Sequence, residues 1–534
     1  MIPEPIRTPV TPTGRSPRPN RPRTAAGALL ALVLIGGFVV PRAWSALPDN
    51  FTDELVASGL SQPNSMAFLP DGRALVTEQN TREIELVVGG SLSTVHTITD
   101  VNTSGNERGL LGITVHPDWP DPPYVYVYFD RTPGNVNYIT RFTATGDLDD
   151  GGSSSLAVTD RYDIITDIPD DASNHNGGSL RFGPDGMLYA SLGEDADPCD
   201  AQDSTLFKGV ILRLNVDALP SGAGGPANKS LITPADNPFP AANANAGLTY
   251  CFGLRNPFRI NIDPLTGAVI IADVGQNDWE ELNRATGGEN FGWPFREGFH
   301  VRTQLGCSEP GGPGTQDYDE PIAEYDRDEI NPASIIAGPA YRLSASPAGP
   351  FLFPSGYDGV IFYAEYYAGF VRAIRDSSGT WVPFPAPGQP NPTDWATGYG
   401  FVSDWVQGAD GALYYVAQGA GEIRRIRWTG SALGVGNPVS GPSRLAVTPN
   451  PVLGSGRSLE IFVDAPGTGG AALELFDARG RLTAFRPAET LSAGPARLVW
   501  EPVGRAGRAL RPGLYFLRVR GEGWTATRRV TFLP

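Results

Sequence analysis

The chain has 534 residues, 40% of them hydrophobic and 10% aromatic, so it is long enough for more than one globular domain. Charged residues make up only 19%, whereas 65 glycines and 50 prolines favour short strands and tight turns over helices. The net charge of −17 argues against nucleic acid or an anionic membrane surface as a partner. We therefore expect an all-β protein that binds no nucleic acid.

Residues 1–46 have the pattern of a targeting segment. Arginines precede an uncharged apolar run at Ala25–Val40, and small residues follow at Ala43, Ser45 and Ala46. The run is shorter than a typical membrane span, which favours a cleaved signal peptide over an anchor. We predict an exported protein, periplasmic, secreted or on the cell surface, with no stable transmembrane span after signal cleavage.

Three cysteines, Cys199, Cys251 and Cys307, would enter an oxidising compartment, where one pair can form a disulfide. We expect the pair Cys199–Cys251, because both residues flank the candidate site described below. The chain has no C-x-x-C motif or cysteine–histidine spacing typical of zinc, so zinc is not expected. The acidic stretch Asp317–Glu329 lacks a regular ligand spacing, so we expect a solvated loop there rather than a calcium site.

From residue 51 to residue 428 one pattern recurs: an apolar strand, a turn of the Pro-Asp-Gly kind, and a second apolar strand. Asp-Gly turns between strand-forming runs are typical of β-hairpins. The six recurrences are Met66–Glu78, Ile113–Phe129, Leu180–Glu194, Ile260–Gly275, Phe353–Tyr366 and Val406–Gly419. Their irregular spacing and long polar insertions predict a six-bladed β-propeller at 51–428, because a β-sandwich would need evenly short loops.

Residues 429–444 have the composition of a linker, and residues 445–534 differ in character from what precedes them. Alternating strands recur there about every ten residues, which predicts a small Ig-like β-sandwich. The stretch resembles the carboxyl-terminal Ig-like modules and sorting domains of secreted bacterial proteins, through TPNP, LFDARGR, SAG and PGLYFLRV. This resemblance implies a role in attachment, sorting or spacing rather than in chemistry.

The best candidate for acid–base chemistry is His175, in the glycine-rich sequence NHNGGSLRFGPDGMLYASLGE. A general base that works near neutral pH is most often a histidine whose ring is oriented by a carboxylate. Here Glu194 or Asp195 returns at the end of the next strand and can orient the ring. The alternative is an ordinary histidine in a surface loop.

Three further motifs lie on the same predicted loop ends. Glu107, in GNERGLLGITVHPD, can face a ligand or belong to a structural turn. Arg255 and Asn256 stand side by side, where they can hold a carbonyl or carboxylate, or satisfy loop carbonyls. The strand ending at Gly275 and Gln276 runs into a tight turn that can aim backbone carbonyl oxygens at a hard cation.

These motifs, in this order, resemble the soluble glucose/sorbosone dehydrogenase family, the pyrroloquinoline quinone-dependent aldose dehydrogenases with six-bladed propellers. The resemblance covers about residues 51–428. It is carried by ERGLLGITVHPD, NHNGGSLRFGPDG, TPADNPFP, GLRNPFR and DVGQNDWEELN…GENFGWP. It implies an oxidoreductase that oxidises the anomeric carbon of an aldose sugar to a lactone with pyrroloquinoline quinone and calcium. Electrons would then pass to a periplasmic or extracellular acceptor.

The resemblance also implies catalytic roles for individual residues. His175 would take the proton from the anomeric hydroxyl of the sugar, while the hydride of the same carbon passes to the quinone. Glu194 would orient the histidine ring, although the family usually has an aspartate there, and Asp195 is the alternative. Arg255 would act at the reactive carbonyl side of the quinone.

Cofactor and metal binding are implied in the same way. Asn256 would contact the quinone beside Arg255, and Glu107 would touch substrate or cofactor. The backbone carbonyls of Gly275 and Gln276 would hold the calcium ion that bridges to the cofactor.

The chain departs from the family where a lysine and two arginines face the carboxylates of the cofactor. Those positions are Tyr366, Phe401 and Ser403 here. The loss of three cations should weaken binding by several kcal/mol, at about 1.5–3 kcal/mol per hydrogen bond to a charged group. Tyr366 and its aromatic neighbours can instead stack on a planar ring or a sugar.

Two alternative functions follow. The region YDGVIFYAEYYAGFVRAIR resembles the hedgehog-interacting-protein branch of the superfamily, which implies a cofactor-free propeller that binds a glycan or protein at the cell surface. A calcium-dependent lactonase would need carboxylates in the central channel, for which Glu78, Glu194 and Asp273 are available. The fold alone does not choose among these functions.

Overall fold

The computed structural model describes residues 46–430, apart from 240–242, 304–305, 313, 315, 329 and 347–348. Beyond these it describes 445–448, 452, 458–465, 468–477, 481–503, 510–521 and 524–532. The predicted signal peptide and linker therefore lie almost wholly outside the described residues. Among the described helices, none has both the length and the apolar character needed to cross a membrane.

Strands are the main regular structure of the described chain. The first group is β1 (Phe51–Ser58), β2 (Pro63–Phe68), β3 (Ala74–Glu78), β4 (Glu83–Val88), β5 (Ser91–Thr97), β6 (Leu110–Val115), β7 (Tyr124–Arg131), β8 (Val136–Gly146) and β9 (Leu156–Pro169). The second is β10 (Leu180–Phe182), β11 (Leu188–Leu192), β12 (Val210–Leu214), β13 (Thr249–Phe252), β14 (Arg259–Ile262), β15 (Val269–Asp273), β16 (Trp279–Ala285), β17 (Arg296–Glu297), β18 (His300–Val301) and β19 (Ala323–Asp326). The third is β20 (Ile335–Ala340), β21 (Ile361–Glu365), β22 (Phe370–Ser377), β23 (Thr380–Pro383), β24 (Ala396–Thr397), β25 (Val402–Gln407), β26 (Leu413–Ala417) and β27 (Glu422–Trp428).

Helices are few and short in the described chain. They are α1 (Lys229–Ile232) and the 3-10 turns Pro198–Gln202, Ala246–Leu248, Leu343–Ala345, Ser355–Tyr357 and Gln418–Ala420. The all-β prediction is therefore confirmed.

The strands between residues 51 and 428 form six antiparallel sheets of four or more strands in the described chain. They are β2–β5, β6–β9, β10–β13, β14–β16 with β19, β20–β24, and β25–β27 with β1. The first strand of each sheet lies beside the first strand of the next, and β25 lies beside β2, so the sheets close into a ring. Pairing of β1 with β27, in the register Phe51 to Trp428, joins the two ends of this ring.

The Pro-Asp-Gly pattern has a clear structural cause. In the turns at Asp71, Asp185 and Asp410, the aspartate Oδ1 accepts the backbone N–H two residues later, at 3.0–3.1 Å. The glycine that follows has a φ between 81° and 95°, which suits a residue without a Cβ. Each turn joins two antiparallel strands, as predicted. The prediction for Phe353–Tyr366 is wrong in detail, because β21 pairs with Ile335–Ala340 across a longer loop.

The inner strands supply a buried polar network around the centre of the ring. Asp404 on β25 accepts hydrogen bonds from the Ser65 hydroxyl at 2.9 Å and from the Met66 N–H at 3.1 Å. Arg181 on β10 also donates to Asp404, and Arg259 on β14 lies 3.6 Å away. Four sheets thus meet at one carboxylate.

The predicted disulfide is wrong. Cys199 pairs with Cys307, with the two Cα atoms 5.8 Å apart, and Cys251 is a free cysteine. Cys251 lies on β13 and is fully buried among apolar side chains, where it packs as a small hydrophobic residue. Burial raises the pKa of its thiol well above the usual range.

The carboxyl-terminal residues form two further sheets from β28 (Leu445–Thr448), β29 (Leu459–Ala465), β30 (Gly469–Asp477), β31 (Leu482–Leu491), β32 (Gly494–Trp500), β33 (Gly513–Gly521) and β34 (Trp524–Phe532). One sheet has the order β28-β29-β32 and the other β31-β30-β33-β34. Their apolar side chains share one core. Arg481 donates to the Pro117 carbonyl at 2.5 Å, and Arg520 pairs with Asp358 at 2.9 Å, so polar contacts hold these sheets against the ring.

Candidate active site

His175 lies in the loop between β9 and β10, at one end of an inner strand. Its φ is 63°, an uncommon backbone conformation for a residue with a side chain, and it is only 8% exposed. A Cβ at Gly177 would lie 2.6 Å from the Ser191 carbonyl, so the glycines after the histidine let the loop lie against β11. The loop therefore turns the ring inward, which contradicts the reading of a surface histidine.

Glu194 orients the histidine. The ring Nδ1 lies 2.9 Å from both carboxylate oxygens of Glu194, which is 1% exposed and follows β11. Close approach of the two loops depends on Gly193, because a Cβ there would lie 1.9 Å from the His175 carbonyl oxygen. Asp195, the alternative partner, instead accepts the N–H groups of Asp171 and Ala172 at 3.1 and 2.7 Å.

Arg255 contacts the other ring nitrogen. Its Nη2 lies 2.8 Å from His175 Nε2. Since a guanidinium can only donate, Nε2 accepts and Nδ1 carries the hydrogen that points to Glu194. The rest of the guanidinium donates to the side-chain oxygen of Gln276 and to the Val274 carbonyl. The ring is thus held neutral with its lone pair on Nε2, the form needed to accept a proton.

Glu107 and Asn256 complete the group around the histidine. One oxygen of Glu107 accepts the His175 backbone N–H at 2.8 Å and the Asn256 side-chain amide at 3.1 Å. The neighbouring Arg108 pairs with Asp170 at 2.8 Å and supports the loop instead. The structure therefore brings together the predicted residues Glu107, His175, Glu194, Arg255 and Asn256.

A buried carboxyl pair lies beneath this group. Asp273 accepts the backbone N–H groups of Arg255 and Asn256, at 2.9 and 2.7 Å. It also shares a hydrogen bond with Glu281. Burial raises the pKa of Asp273 to about 6, and burial together with the Asp273 charge raises the pKa of Glu281 well above its usual range. The pair holds the loop of Arg255 in place.

We expect Glu281→Gln to flatten the pH dependence of stability. A carboxyl whose pKa is raised by folding stabilises the protein fully below its unfolded pKa, and this contribution is lost as pH rises through the folded pKa. The slope is at most about 1.4 kcal/mol per pH unit for one proton. Urea unfolding from pH 5 upward should show the wild type losing more stability than Glu281→Gln. Exposed Glu320→Gln is the control. Equal slopes of stability against pH for all three proteins would contradict the raised pKa of Glu281.

Two cavities meet at His175 and Arg255, of about 340 and 420 Å³, which is the size of small-molecule sites. The second cavity is lined by Trp293, by Arg302 and by Cys307 of the disulfide. The first is lined by Glu107, Asn256 and Gln276. Further lining residues are amide and aromatic side chains, namely Gln79, Gln418, Tyr366 and Tyr367.

The three positions where the family's cations are replaced have different surroundings. Tyr366 lines the first cavity, and its hydroxyl donates to Gln418. Phe401 has a φ of 60° and is 47% exposed, with its ring edge-on to Tyr366 at 5.3 Å. Ser403 is buried and donates to the Pro63 carbonyl at 3.3 Å. Two of the three positions are therefore aromatic, and only Tyr366 of these lines the cavity.

Sequence reasoning missed Arg327, which lines the first cavity. Its Nη1 donates to the Gly275 carbonyl at 3.0 Å and pairs with Glu280. The lone arginine within the acidic stretch 317–329 was the available signal, and that stretch is only partly a solvated loop.

The contacts around the first cavity bear on the two groups that the resemblance implies, the quinone and the calcium ion. The two arginines, the amides and the aromatic rings of the first cavity fit a planar quinone with carboxylates. Calcium does not fit this arrangement, because a guanidinium already occupies the Gly275 carbonyl.

Comparison with known proteins gives consistent results. A family model described as Glucose / Sorbosone dehydrogenase matches residues 60–342, more than half of the chain. Quinoprotein glucose dehydrogenase B of Acinetobacter calcoaceticus is 27% identical over 284 residues, 48% of this chain and 54% of that protein. The HIPL1 protein of Arabidopsis thaliana is 32% identical over 241 residues, 41% of this chain and 34% of that protein. The chain thus spans about half the length of these curated relatives or less.

A solved structure extends the similarity. The PQQ-bound aldose sugar dehydrogenase of Streptomyces coelicolor matches with a TM-score of 0.50 at 26% identity, covering 72% of this chain and 99% of that one. The closed ring of sheets agrees with this similarity. The chain belongs to the glucose/sorbosone dehydrogenase family, as the motifs predicted.

Proposed function

We propose that the protein is an exported quinoprotein oxidoreductase that oxidises the anomeric carbon of aldose sugars to lactones. The observation that carries the proposal is the neutral His175 ring, held between Glu194 and Arg255 where two cavities meet. Its Nε2 can accept the proton of the anomeric hydroxyl, and Glu194 stabilises the imidazolium that results. Pyrroloquinoline quinone, when bound, would supply the electron acceptor for the hydride of that carbon.

Arg255 has a second part in this proposal. The incoming hydroxyl replaces it as the partner of Nε2. The guanidinium, still held by Gln276 and Val274, then directs a donor at the negative charge that develops on the reacting oxygen. Asn256, fixed by Glu107, adds an amide donor beside it. In this proposal the side chains thus move a proton and stabilise the developing charge.

The same residues divide the two cavities between the ligands. Arg255, Asn256, Tyr366 and Arg327 would hold the quinone in the first cavity. The second cavity, on the other side of His175, would take the sugar.

Domain organisation belongs to this proposal too. The closed ring of six sheets supports a six-bladed β-propeller at residues 51–428, with loops at one end forming the site. The two packed sheets at 445–534 support an Ig-like module. Residues 1–46 would direct export and be removed, so that electrons leave to a periplasmic or extracellular acceptor.

A second candidate function is a binding module without cofactor, which would present the site to a glycan or protein. The exposed Phe401 beside Tyr366 and Tyr367 favours it, because exposed aromatic clusters mark binding sites. The similarity to HIPL1 agrees with it.

Titration of the purified protein with pyrroloquinoline quinone distinguishes the two functions. Calorimetry should show saturable binding, and aldoses added with an artificial electron acceptor should then reduce the dye. A protein that binds no quinone at high micromolar concentration, yet binds glycans on an array, would be the binding module.

A further inference from the structure

Arg327 and Gly275, which both line the first cavity, form a contact that the sequence analysis did not predict. We propose that the Arg327 guanidinium stands here in place of a divalent cation and binds the anionic group of the ligand directly. Binding of a carboxylate-bearing planar quinone then needs no calcium. This inference rests on the proposed function and assigns the residue by which the site recognises an anion.

The guanidinium is held in position by a dedicated buried carboxylate. Glu280 is fully buried and accepts the Gly275 N–H at 3.2 Å and the Ile335 N–H at 2.9 Å, besides pairing with Arg327. The Arg327 backbone N–H donates to the Asp278 carbonyl at 2.9 Å. The backbone N–H and the guanidinium of Arg327 are therefore both fixed next to the strand pair β16–β19. Glu280 is the counter-charge of the guanidinium within the protein.

The position leaves little room for a metal ion. Calcium takes oxygen ligands at about 2.3–2.6 Å, so an ion on the Gly275 carbonyl would lie against a guanidinium nitrogen already 3.0 Å from the same oxygen. Two cations so close repel each other strongly in a partly buried site. Two buried carboxylates next to this turn are already engaged: Glu280 by Arg327 and two backbone N–H groups, and Glu297 by the N–H groups that follow Gly275.

The remaining edge of the guanidinium suits a carboxylate. The closest contacts to Gly275 and Glu280 are both made by Nη1. A bidentate pair with a ligand carboxylate can therefore form through Nε and Nη2. Tyr366 and Tyr367 line the same cavity and offer aromatic surface to a planar ring. Glu107 and Arg255 both lie beside His175 in the same cavity, whereas Arg327 lines the cavity as a second cation.

The experiment is a calorimetric titration of the purified protein with pyrroloquinoline quinone, in excess EDTA and in millimolar calcium chloride. We expect the two Kd values to agree within about threefold, which is less than 1 kcal/mol. Arg327→Ala should weaken binding about 10- to 100-fold in EDTA, as for a lost hydrogen bond to a charged group. Arg327→Lys should recover part of the affinity, since it keeps the charge but not the bidentate geometry.

Two variants guard against a folding defect. The double variant Arg327→Met/Glu280→Gln leaves no unpaired buried charge and should bind as weakly as Arg327→Ala. Arg375→Ala removes an exposed arginine on β22 and should bind as the wild type does.

The outcomes separate the inference from the function on which it rests. Quinone binding that requires calcium would overturn the role of Arg327 and leave the dehydrogenase proposal standing. Wild-type affinity in the double variant would also overturn it. Absence of binding in both buffers would overturn the proposed function, and the inference with it.

Discussion

Replacing His175 by asparagine is expected to lower the kcat of sugar-dependent dye reduction about 10²- to 10⁴-fold, the contribution typical of a general base. Asparagine tolerates the left-handed backbone of this position, where φ is 63°, so the loop should keep its shape. It lacks a ring nitrogen that can accept the anomeric proton. Steady-state kinetics with one aldose, at saturating quinone and dye, measure the loss.

The affinity for quinone should change little in this variant, because Arg255 keeps its bonds to Gln276 and Val274. Calorimetric titration provides that readout independently of turnover. The matched control is His300→Asn, whose side chain is 48% exposed and lies outside the linings of both cavities. Turnover within tenfold of the wild type in His175→Asn would mean that another group accepts the proton.

The local parts of the fold could be predicted from the sequence. Each turn of the Asp71 kind is closed by a side chain and a glycine within four residues, so its geometry depends on nearby sequence alone. His175 and Glu194 are likewise separated by one hairpin, β10–β11, which brings them together without any long-range contact.

The features that sequence reasoning missed depend on long-range packing. Cys199 and Cys307 are 108 residues apart, and which cysteine faces which is decided by the burial of Cys251 in β13. Arg327 reaches Gly275 across 52 residues, through the pairing of β16 with β19. No periodicity in the stretch 317–329 encodes that pairing, so its arginine was indistinguishable from a solvated charge.

The site combines residues that match the family motifs with positions that depart from them. The histidine, its glutamate and Arg255 occupy the geometry that proton transfer needs. Two of the positions where the resemblance implies cations are aromatic here, namely Tyr366, which lines the cavity, and Phe401, which contacts Tyr366. Whether the cavity holds a quinone therefore depends on Arg255 and Arg327, and that affinity is the quantity to measure first.

Asp404→Ala is expected to destabilise the protein by about 3–5 kcal/mol, the cost of leaving buried charges without their partner. That is a large share of the 5–15 kcal/mol typical of a domain. Asp404 is fully buried and is contacted by Arg181 and by Ser65, and Arg259 lies 3.6 Å away. Urea unfolding with tryptophan fluorescence gives the free energy of unfolding for each variant.

The size of this effect follows from the geometry of the ring. Asp404 joins residues from four sheets that are distant in sequence, so its loss removes contacts that hold the inner strands around one centre. Asp167→Ala is the control, because Asp167 is 57% exposed in its pair with Lys229 and should cost at most about 1 kcal/mol. The loss of stability in Asp404→Ala can come from the unpaired arginines or from the ring geometry. If the arginines cause it, the triple variant Asp404→Leu/Arg181→Met/Arg259→Met should recover most of the free energy of unfolding. Equal free energies of unfolding for Asp404→Ala and Asp167→Ala would show that the network contributes no more than a surface ion pair.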